Sequence, residues 1–309
     1  QSSKVEMLKI QRSGAIGIGA LAIYSSSNKK VLVVCDPLQQ QQPIKEKKVK
    51  KINKWDLNWD LMENSSKASV IPLKDRPIRQ IILIRHGQYI ESPPELPSLT
   101  TSDCSNDSQQ VLTDLGRKQA TATGTRLKSL VDAGVLFPID TVYYSIMARA
   151  TETCKMILSS FSGGNVSEVD VLQKGIPDIL QPHQVQACSM IQEGAVCKPE
   201  PPFLNWPVSD EDFIKQNARV EAAFKNYICR ADPDVKRPDY STVFVCHGNI
   251  IRYFVLRVLQ LPPEAWSRLT VYNASITIVE IYPSGKVSLR ALGDVGHLPP
   301  EMITYNQSK

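Results

Sequence analysis

The stretch Arg79-Gln80-Ile81-Ile82-Leu83-Ile84-Arg85-His86-Gly87-Gln88-Tyr89 decides the fold. Gln80 to Ile84 is a short apolar run that stops abruptly at Arg85, His86 and Gly87. A run of this length bounded by polar residues and glycine reads as a buried strand. A second stretch, Thr242-Val243-Phe244-Val245-Cys246, reads the same way and stops at His247-Gly248.

Helical patterns lie between and after these strands. Thr113 is placed to cap a helix whose face carries Ala120, Gly124, Leu127 and Val131, spaced four, three and four. Thr141 to Tyr144 is a further strand, followed by a helix with Ala150, Cys154, Ile157 and Phe161 on one face. Val169 to Leu172 reads as a third strand. Ser209, with Asp212 three residues on, caps a helix carrying Phe213, Val220, Phe224 and Ile228. Another helix runs from His247-Gly248 through Leu259. Ser275 to Tyr282 and Val287 to Leu292 flank Pro283-Ser284-Gly285 as a terminal hairpin. Residues 91 to 110 are rich in Pro, Ser, Thr and Asp and read as a loop. This alternation predicts an α/β fold: three layers, with a mostly parallel central sheet and helices on both faces.

In such sheets ligands bind outside the carboxyl ends of the strands. Arg85 and His86 leave one strand, Arg149 lies just past another, and His247 ends a third. The chemistry suits phosphoryl transfer, which needs a positioned nucleophile and positive donors around the phosphate oxygens. A neutral imidazole can attack phosphorus and split hydrolysis into two easier steps. Arg85 and Arg149 offer planar forks matched to phosphate oxygens, and His247 adds a donor. Gly87 and Gly248 remove side chains where backbone would approach the ligand. A leaving alkoxide needs a proton, so a carboxylic acid of raised pKa is expected nearby. Each piece alone is weak, since a His at a strand end is more often structural. Two His-Gly pairs after buried strands, one preceded by Arg, are far more specific. No metal-ligand spacing and no P-loop is present, and no cofactor is required.

The chain of 309 residues is 42% hydrophobic and 22% charged, ordinary for a globular protein with a core. Its net charge of +5 is largely local, at Lys45, Lys47, Lys48, Lys50, Lys51 and Lys54, which argues against a nucleic-acid surface. Seven cysteines, an odd number without a Cys-x-x-Cys pair, argue against a disulfide framework and a structural zinc site. Gly14 to Tyr24 is apolar and flanked by Lys9, Arg12, Lys29 and Lys30. Eleven residues fall short of the roughly 20 that span a bilayer. The run reads as a membrane anchor or targeting segment, with a disordered glycine-rich terminus as the alternative. Trp55-Asp56-Leu57-Asn58-Trp59-Asp60 follows the lysine run. Two tryptophans are costly to leave in water, so this segment should dock, on a partner or on its own domain.

These motifs resemble the histidine phosphatase, or phosphoglycerate mutase, superfamily. The matching residues are Leu83-Ile84-Arg85-His86-Gly87, Leu112-Thr113-Asp114-Leu115-Gly116 with Gln119-Ala120, Ser145-Ile146-Met147-Ala148-Arg149-Ala150 with Thr153, and Val245-Cys246-His247-Gly248-Asn249. Arg85-His86-Gly87-Gln88-Tyr89, Glu193-Gly194 running into Pro199-Glu200-Pro201-Pro202, Arg219 to Phe224, and Gly293-Asp294 with Pro299-Pro300 are similar to its mitochondrial serine/threonine protein phosphatases. The resemblance implies that His86 is phosphorylated and that Arg85, Arg149 and His247 hold the phosphate. It implies that Glu193 is the acid and then the base. It further implies phosphoprotein substrates and mitochondrial membrane attachment through the N-terminus, the outer membrane ahead of the inner. Trp55, Asp56, Asn58, Trp59 and Asp60 would assemble a homo-oligomer that activates catalysis.

The corresponding domain plan is 1–35 as anchor or targeting segment, 36–78 as basic linker with the tryptophan motif, and 79–309 as catalytic domain. Three features depart from the family pattern: Leu57 stands where proline is usual, the apolar run is short, and residues 173–191 look like an added surface loop. Gln173-Lys174-Gly175 and Gln192-Glu193-Gly194 compete for the acid's register, and only the second carries a carboxyl group. The rival readings are a phosphoglycerate mutase or small-metabolite phosphatase, and a mitochondrial scaffold protein with little activity. Mutases carry Glu where this chain has Gln88, and the intact His86, Arg85, Arg149 and His247 argue against a bare scaffold.

Overall fold

The computed structural model describes residues 21–26, 29–34, 55–63, 71–90, 105–161, 184–202 and 208–305. The chain divides into two compact units, Gln1–Lys54 and Trp55–Lys309. In the first, β1 (Leu21–Ser26) and β2 (Lys29–Val34) form an antiparallel hairpin, from Leu21 opposite Val34 to Ser26 opposite Lys29. The end of the apolar run is therefore extended, and residues 14–20 lie outside the described residues. Among the described residues no helix is long and apolar enough to cross a membrane.

The second unit is built on a six-stranded sheet. Its strands are β3 (Arg79–Arg85), β4 (Ile139–Ser145), β5 (Val185–Cys188), β6 (Tyr240–Cys246), β7 (Ile276–Ile281) and β8 (Val287–Asp294). The order across the sheet is β5-β4-β6-β3-β7-β8. β5, β4, β6 and β3 run parallel, while β7 pairs antiparallel with β3 and with β8. The mostly parallel sheet and the terminal hairpin expected from the sequence are both present.

β3 and β6 sit at the centre because they are apolar on both faces. Alternate side chains of each strand enter opposite cores. Ile81, Leu83, Phe244 and Cys246 pack on one face against α4 (Asp210–Tyr227) and α5 (Gly248–Val258), through Val220, Phe224, Ile250 and Phe254. Ile82, Ile84, Val243 and Val245 pack on the other face with Leu127 of α2 (Asp114–Asp132) and Cys154 and Ile157 of α3 (Ala148–Ser159). One further helical turn, α1 (Ser105–Ser108), falls in the stretch read as loop. The caps act as expected: Thr113 Oγ1 accepts from the Gly116 N–H and Ser209 Oγ from the Asp212 N–H.

Two expectations need correction. The strand beside β4 is β5, inside the stretch 173–191 that reads as an added loop; Val169 to Leu172 and residues 173–183 lie outside the described residues. β5 is an edge strand of four residues, two of them exposed, so it lacks the apolar run that marks β3 and β6. Phe161 lies past the end of α3. Trp55 to Asp60 belongs to the larger unit.

Trp59 donates from Nε1 to the Gly285 carbonyl at 2.9 Å, and its ring lies 6.0 Å from that of Phe224. Asp60 is ion-paired with Arg230, both side chains 1% exposed. Side chains of the motif close the turns on either side of Trp59. Asp56 Oδ1 accepts from the Asn58 N–H at 2.8 Å, and Asn58 Oδ1 accepts from the Glu63 N–H at 3.0 Å. Trp55, by contrast, is 62% exposed.

Candidate active site

The parallel register sets Arg85 opposite Cys246, so the next residue of each strand end is a histidine. His86 extends the ladder by donating its N–H to the Cys246 carbonyl at 3.0 Å. The rings of His86 and His247 lie 5.1 Å apart, centroid to centroid. Ser145 ends β4 on the other side of β6, and its Oγ lies 2.8 Å from His247 Nε2. Sheet geometry thus brings together residues separated by more than 100 positions.

His86 Nδ1 lies 2.8 Å from the Gly87 carbonyl oxygen. A carbonyl can only accept, so Nδ1 carries the proton and Nε2 carries the lone pair. Burial, with the charges of Arg85 and Arg149 behind it, holds the imidazolium pKa well below the usual histidine range. The ring is therefore neutral at pH 7. His247 is also buried and lowered well below that range, by burial first and then by His86 and the arginines. Its Nδ1 has no hydrogen-bond partner.

Arg85 donates from Nη1 to the Val271 carbonyl at 2.7 Å, and its guanidinium lies 5.9 Å from the Tyr305 ring centroid. Its buried Nε has no partner. Arg149 starts α3, 2% exposed, with its guanidinium 4.7 Å from the centre of the Tyr89 ring. Thr153, one turn on, bonds the Arg149 carbonyl at 2.7 Å and accepts from the Gly87 N–H at 3.0 Å, tying α3 to the loop of His86. Both outer nitrogens of Arg149 are engaged by Asp107 of α1, one on its carbonyl at 2.7 Å and one on its carboxylate at 3.1 Å. A phosphate taking those nitrogens would displace Asp107.

Glu193 lies on the loop after β5. Its carboxylate accepts from the Gly194 N–H at 3.1 Å and from the Asn249 N–H, at the start of α5, at 3.5 Å. Burial raises its pKa, against the pull of Gly194, Arg149, Arg85 and Asn249. The charges of Arg85 and Arg149 thus act on His86, His247 and Glu193 alike; residues 173–175 lie outside the described residues. A cleft of about 540 Å³ beside them is lined by Ser108, Ile146, Thr151, Glu152 and Gln192, among others.

Gly87 is also required by packing within the protein. A Cβ on Gly87 would strike the Gly116 carbonyl, and one on Gly116 would strike the Gln88 carbonyl. These two seat the loop of His86 on the start of α2. A Cβ on Gly248 would come within 3.5 Å of Arg85 Nε, an ordinary contact. Asp107, Ser145 as a partner of His247, and Arg219 behind Glu193 are not singled out by the sequence. Ser145, at the end of a strand, and Arg219 each head a motif in the sequence, but nothing there assigns them these partners.

Two histidines and an arginine at the strand ends, with a second arginine in the first turn of α3 and a carboxyl group nearby, are the arrangement of a histidine phosphatase. The sequence profile of the histidine phosphatase superfamily (branch 1) matches residues 81–294, and the chain belongs to that superfamily, an enzyme of the hydrolase class. Among curated proteins it is 37% identical over 266 residues to the serine/threonine-protein phosphatase Pgam5, mitochondrial, of Drosophila yakuba, covering 81% of this chain and 80% of that protein. It is 36% identical over 266 residues to PGAM5 of Homo sapiens, which bears the same description, with coverage of 81% and 80%. Among solved structures it is similar to the phosphoglycerate mutase of Plasmodium falciparum, with 27% identity, a TM-score of 0.43, and coverage of 74% of this chain and 99% of that one.

Proposed function

We propose that the chain is a mitochondrial serine/threonine protein phosphatase that works through a phosphohistidine on His86 and is activated by self-assembly. The observation that carries the chemistry is the fixed tautomer of a neutral His86, its Nδ1 bonded to the Gly87 carbonyl at 2.8 Å. Nε2 attacks phosphorus while the bond to the serine or threonine oxygen breaks. Arg85, Arg149 and His247 hold the phosphate oxygens as charge builds on them. Burial favours the protonated form of Glu193, which gives its proton to the leaving oxygen. In the second step the Glu193 carboxylate takes a proton from water. The water oxygen attacks phosphorus, and the P–N bond breaks. Inorganic phosphate leaves and the neutral imidazole returns.

The protein-substrate part of the reading rests on the names of the relatives and on Gln88, which stands where mutases carry Glu. Assay of the full chain with a phosphoserine peptide and with a phosphoglycerate tests it. We expect the peptide to be the better substrate by kcat/KM. Mutase or phosphoglycerate phosphatase activity in excess of peptide hydrolysis rejects this reading in favour of a small-metabolite enzyme.

Attachment to the mitochondrial outer membrane through residues 1–35 belongs to the same reading, supported by the basic residues flanking Gly14 to Tyr24. Alkaline extraction of mitochondria carrying the chain should leave it in the membrane pellet. Complete release into the supernatant would dismiss an integral anchor.

A further inference from the structure

Arg219, on α4, is committed to the loop that carries Glu193. One outer nitrogen donates to the Met190 carbonyl at 2.6 Å and to the Gln192 carbonyl at 2.9 Å. The other donates to the carbonyl of Glu193 itself at 3.3 Å. Three carbonyls of a four-residue stretch thus converge on one guanidinium. The same face of α4 holds the next residues of the loop. Gln216 Oε1 accepts from the Ala195 N–H, and Asn217 Nδ2 donates to the Val196 carbonyl. Beyond Ser145 and Cys188 the sheet no longer pairs this backbone, so the loop takes its shape from α4 and from the fully buried Ile191.

Gly194 carries independent evidence of this fit. A Cβ there would meet Gln216 Oε1 and would come within 3.0 Å of Arg219 Nη2. A methyl group there would strike Gln216 first and crowd Arg219, so the loop would have to shift against the face of α4 that holds it.

We propose that Arg219 is the positioning residue of the acid: its guanidinium clamps the backbone of residues 190–193 so that the Glu193 carboxyl meets the leaving-group oxygen. This rests on the reading of Glu193 as proton donor. The planar fork explains why arginine serves here, since lysine places one point charge where three carbonyls must be gathered. Catalytic groups lose effect steeply with misplacement of about 1 Å. The consequence should fall chiefly on proton donation, because these bonds of Arg219 reach none of Arg85, His86, Arg149 and His247, and its charge is the last of the influences on His247.

The test separates substrates by leaving group, using the full chain. A phosphoserine peptide leaves as an alkoxide and needs the proton. p-Nitrophenyl phosphate leaves as a stabilised phenolate and does not. The quantity to read is the rate of the first step, as phosphoenzyme formation or the nitrophenol burst. Arg219→Ala should slow that step about 10- to 100-fold for the peptide, against the roughly 10²- to 10⁴-fold that a general acid contributes. The nitrophenol burst should change by less than about threefold, and inhibition by inorganic phosphate should be unchanged. Arg219→Lys should recover part of the loss. If Arg219→Ala fails to fold, Arg219→Lys and Gly194→Ala carry the test, and each should show the same split. Glu193→Gln is the control. If Glu193→Gln slows both substrates alike, the acid assignment itself fails. If Glu193→Gln shows the split and the Arg219 and Gly194 variants do not, the positioning role is overturned.

Discussion

Replacing His86 with alanine is expected to reduce turnover by about 10⁴-fold or more, the scale on which loss of a nucleophile is felt. It should abolish the acid-labile, alkali-stable phosphoenzyme while leaving the fold intact. The fold should survive because His86 contributes a neutral ring beside Tyr89 and His247, centroids at 5.2 and 5.1 Å, and no buried ion pair. Phosphate should still bind, since Arg85, Arg149 and His247 are untouched. The competing nucleophile is His247, also buried and also held well below the usual histidine range. The two differ in their partners. His86 is held by a carbonyl that fixes its tautomer, whereas His247 faces the Ser145 hydroxyl, which can donate or accept. His247→Ala should therefore weaken phosphate binding and slow the reaction yet still yield a phosphoenzyme. A phosphoenzyme that persists in His86→Ala and vanishes in His247→Ala would reverse the two roles. The pH dependence has a definite sign. His86 is neutral above its lowered pKa and Glu193 is protonated below its raised one. The first step should thus stay fast into the acid range and fail as pH rises through the Glu193 pKa.

The parts of this site that sequence reading recovered are those whose chemistry is local. β3 and β6 announce themselves by apolar runs, and the residues that follow them, Arg85, His86 and His247, fall at the strand ends where ligands bind. Arg149 was found the same way, just past β4. β5 escaped because an edge strand half in solvent has too few apolar residues to stand out. Asp107 escaped because one carboxylate in a polar loop looks like any other; only the fold lays it on Arg149. Arg219 works on backbone carbonyls, which have no identity in a sequence. Asp60 and Arg230 are 170 positions apart, and neither neighbourhood predicts the other. Such pairings belong to the tertiary structure.

That last pair carries the second large effect. Asp60 and Arg230 are each 1% exposed, with Arg230 Nη2 2.7 Å from Asp60 Oδ1 and Arg230 Nε 3.0 Å from both carboxylate oxygens. The Arg230 N–H adds a bond to Asp60 Oδ2 at 2.8 Å. Removing one partner of a buried pair costs about 3–5 kcal/mol, because the other charge is left in the interior. Arg230 also reaches Glu63 at 3.3 Å and the Pro283 carbonyl at 3.1 Å, which points to the lower end, about 3 kcal/mol, for Asp60→Ala. At about 2–4 °C per kcal/mol for a unit of this size, Tm should fall by roughly 6–12 °C. Arg230→Met should do comparable harm, and the double variant should cost less than the two single losses together. Trp55→Ala should behave in the opposite way. Trp55 and Leu57 are 62% and 55% exposed and border a hollow of about 290 Å³ with Val258, Leu259 and Val287. An exposed side chain contributes within about 0.5 kcal/mol, so Tm should hardly move. If this end of the motif joins copies of the chain, Trp55→Ala should shift sedimentation to smaller species and lower phosphopeptide turnover with them. Unchanged sedimentation would remove Trp55 from the assembly. An unchanged Tm in Asp60→Ala would mean that Arg230 does not hold the segment down. The motif then divides between two tasks: Trp59 and Asp60 anchor it to its own domain so that Trp55 and Leu57 are presented to the outside.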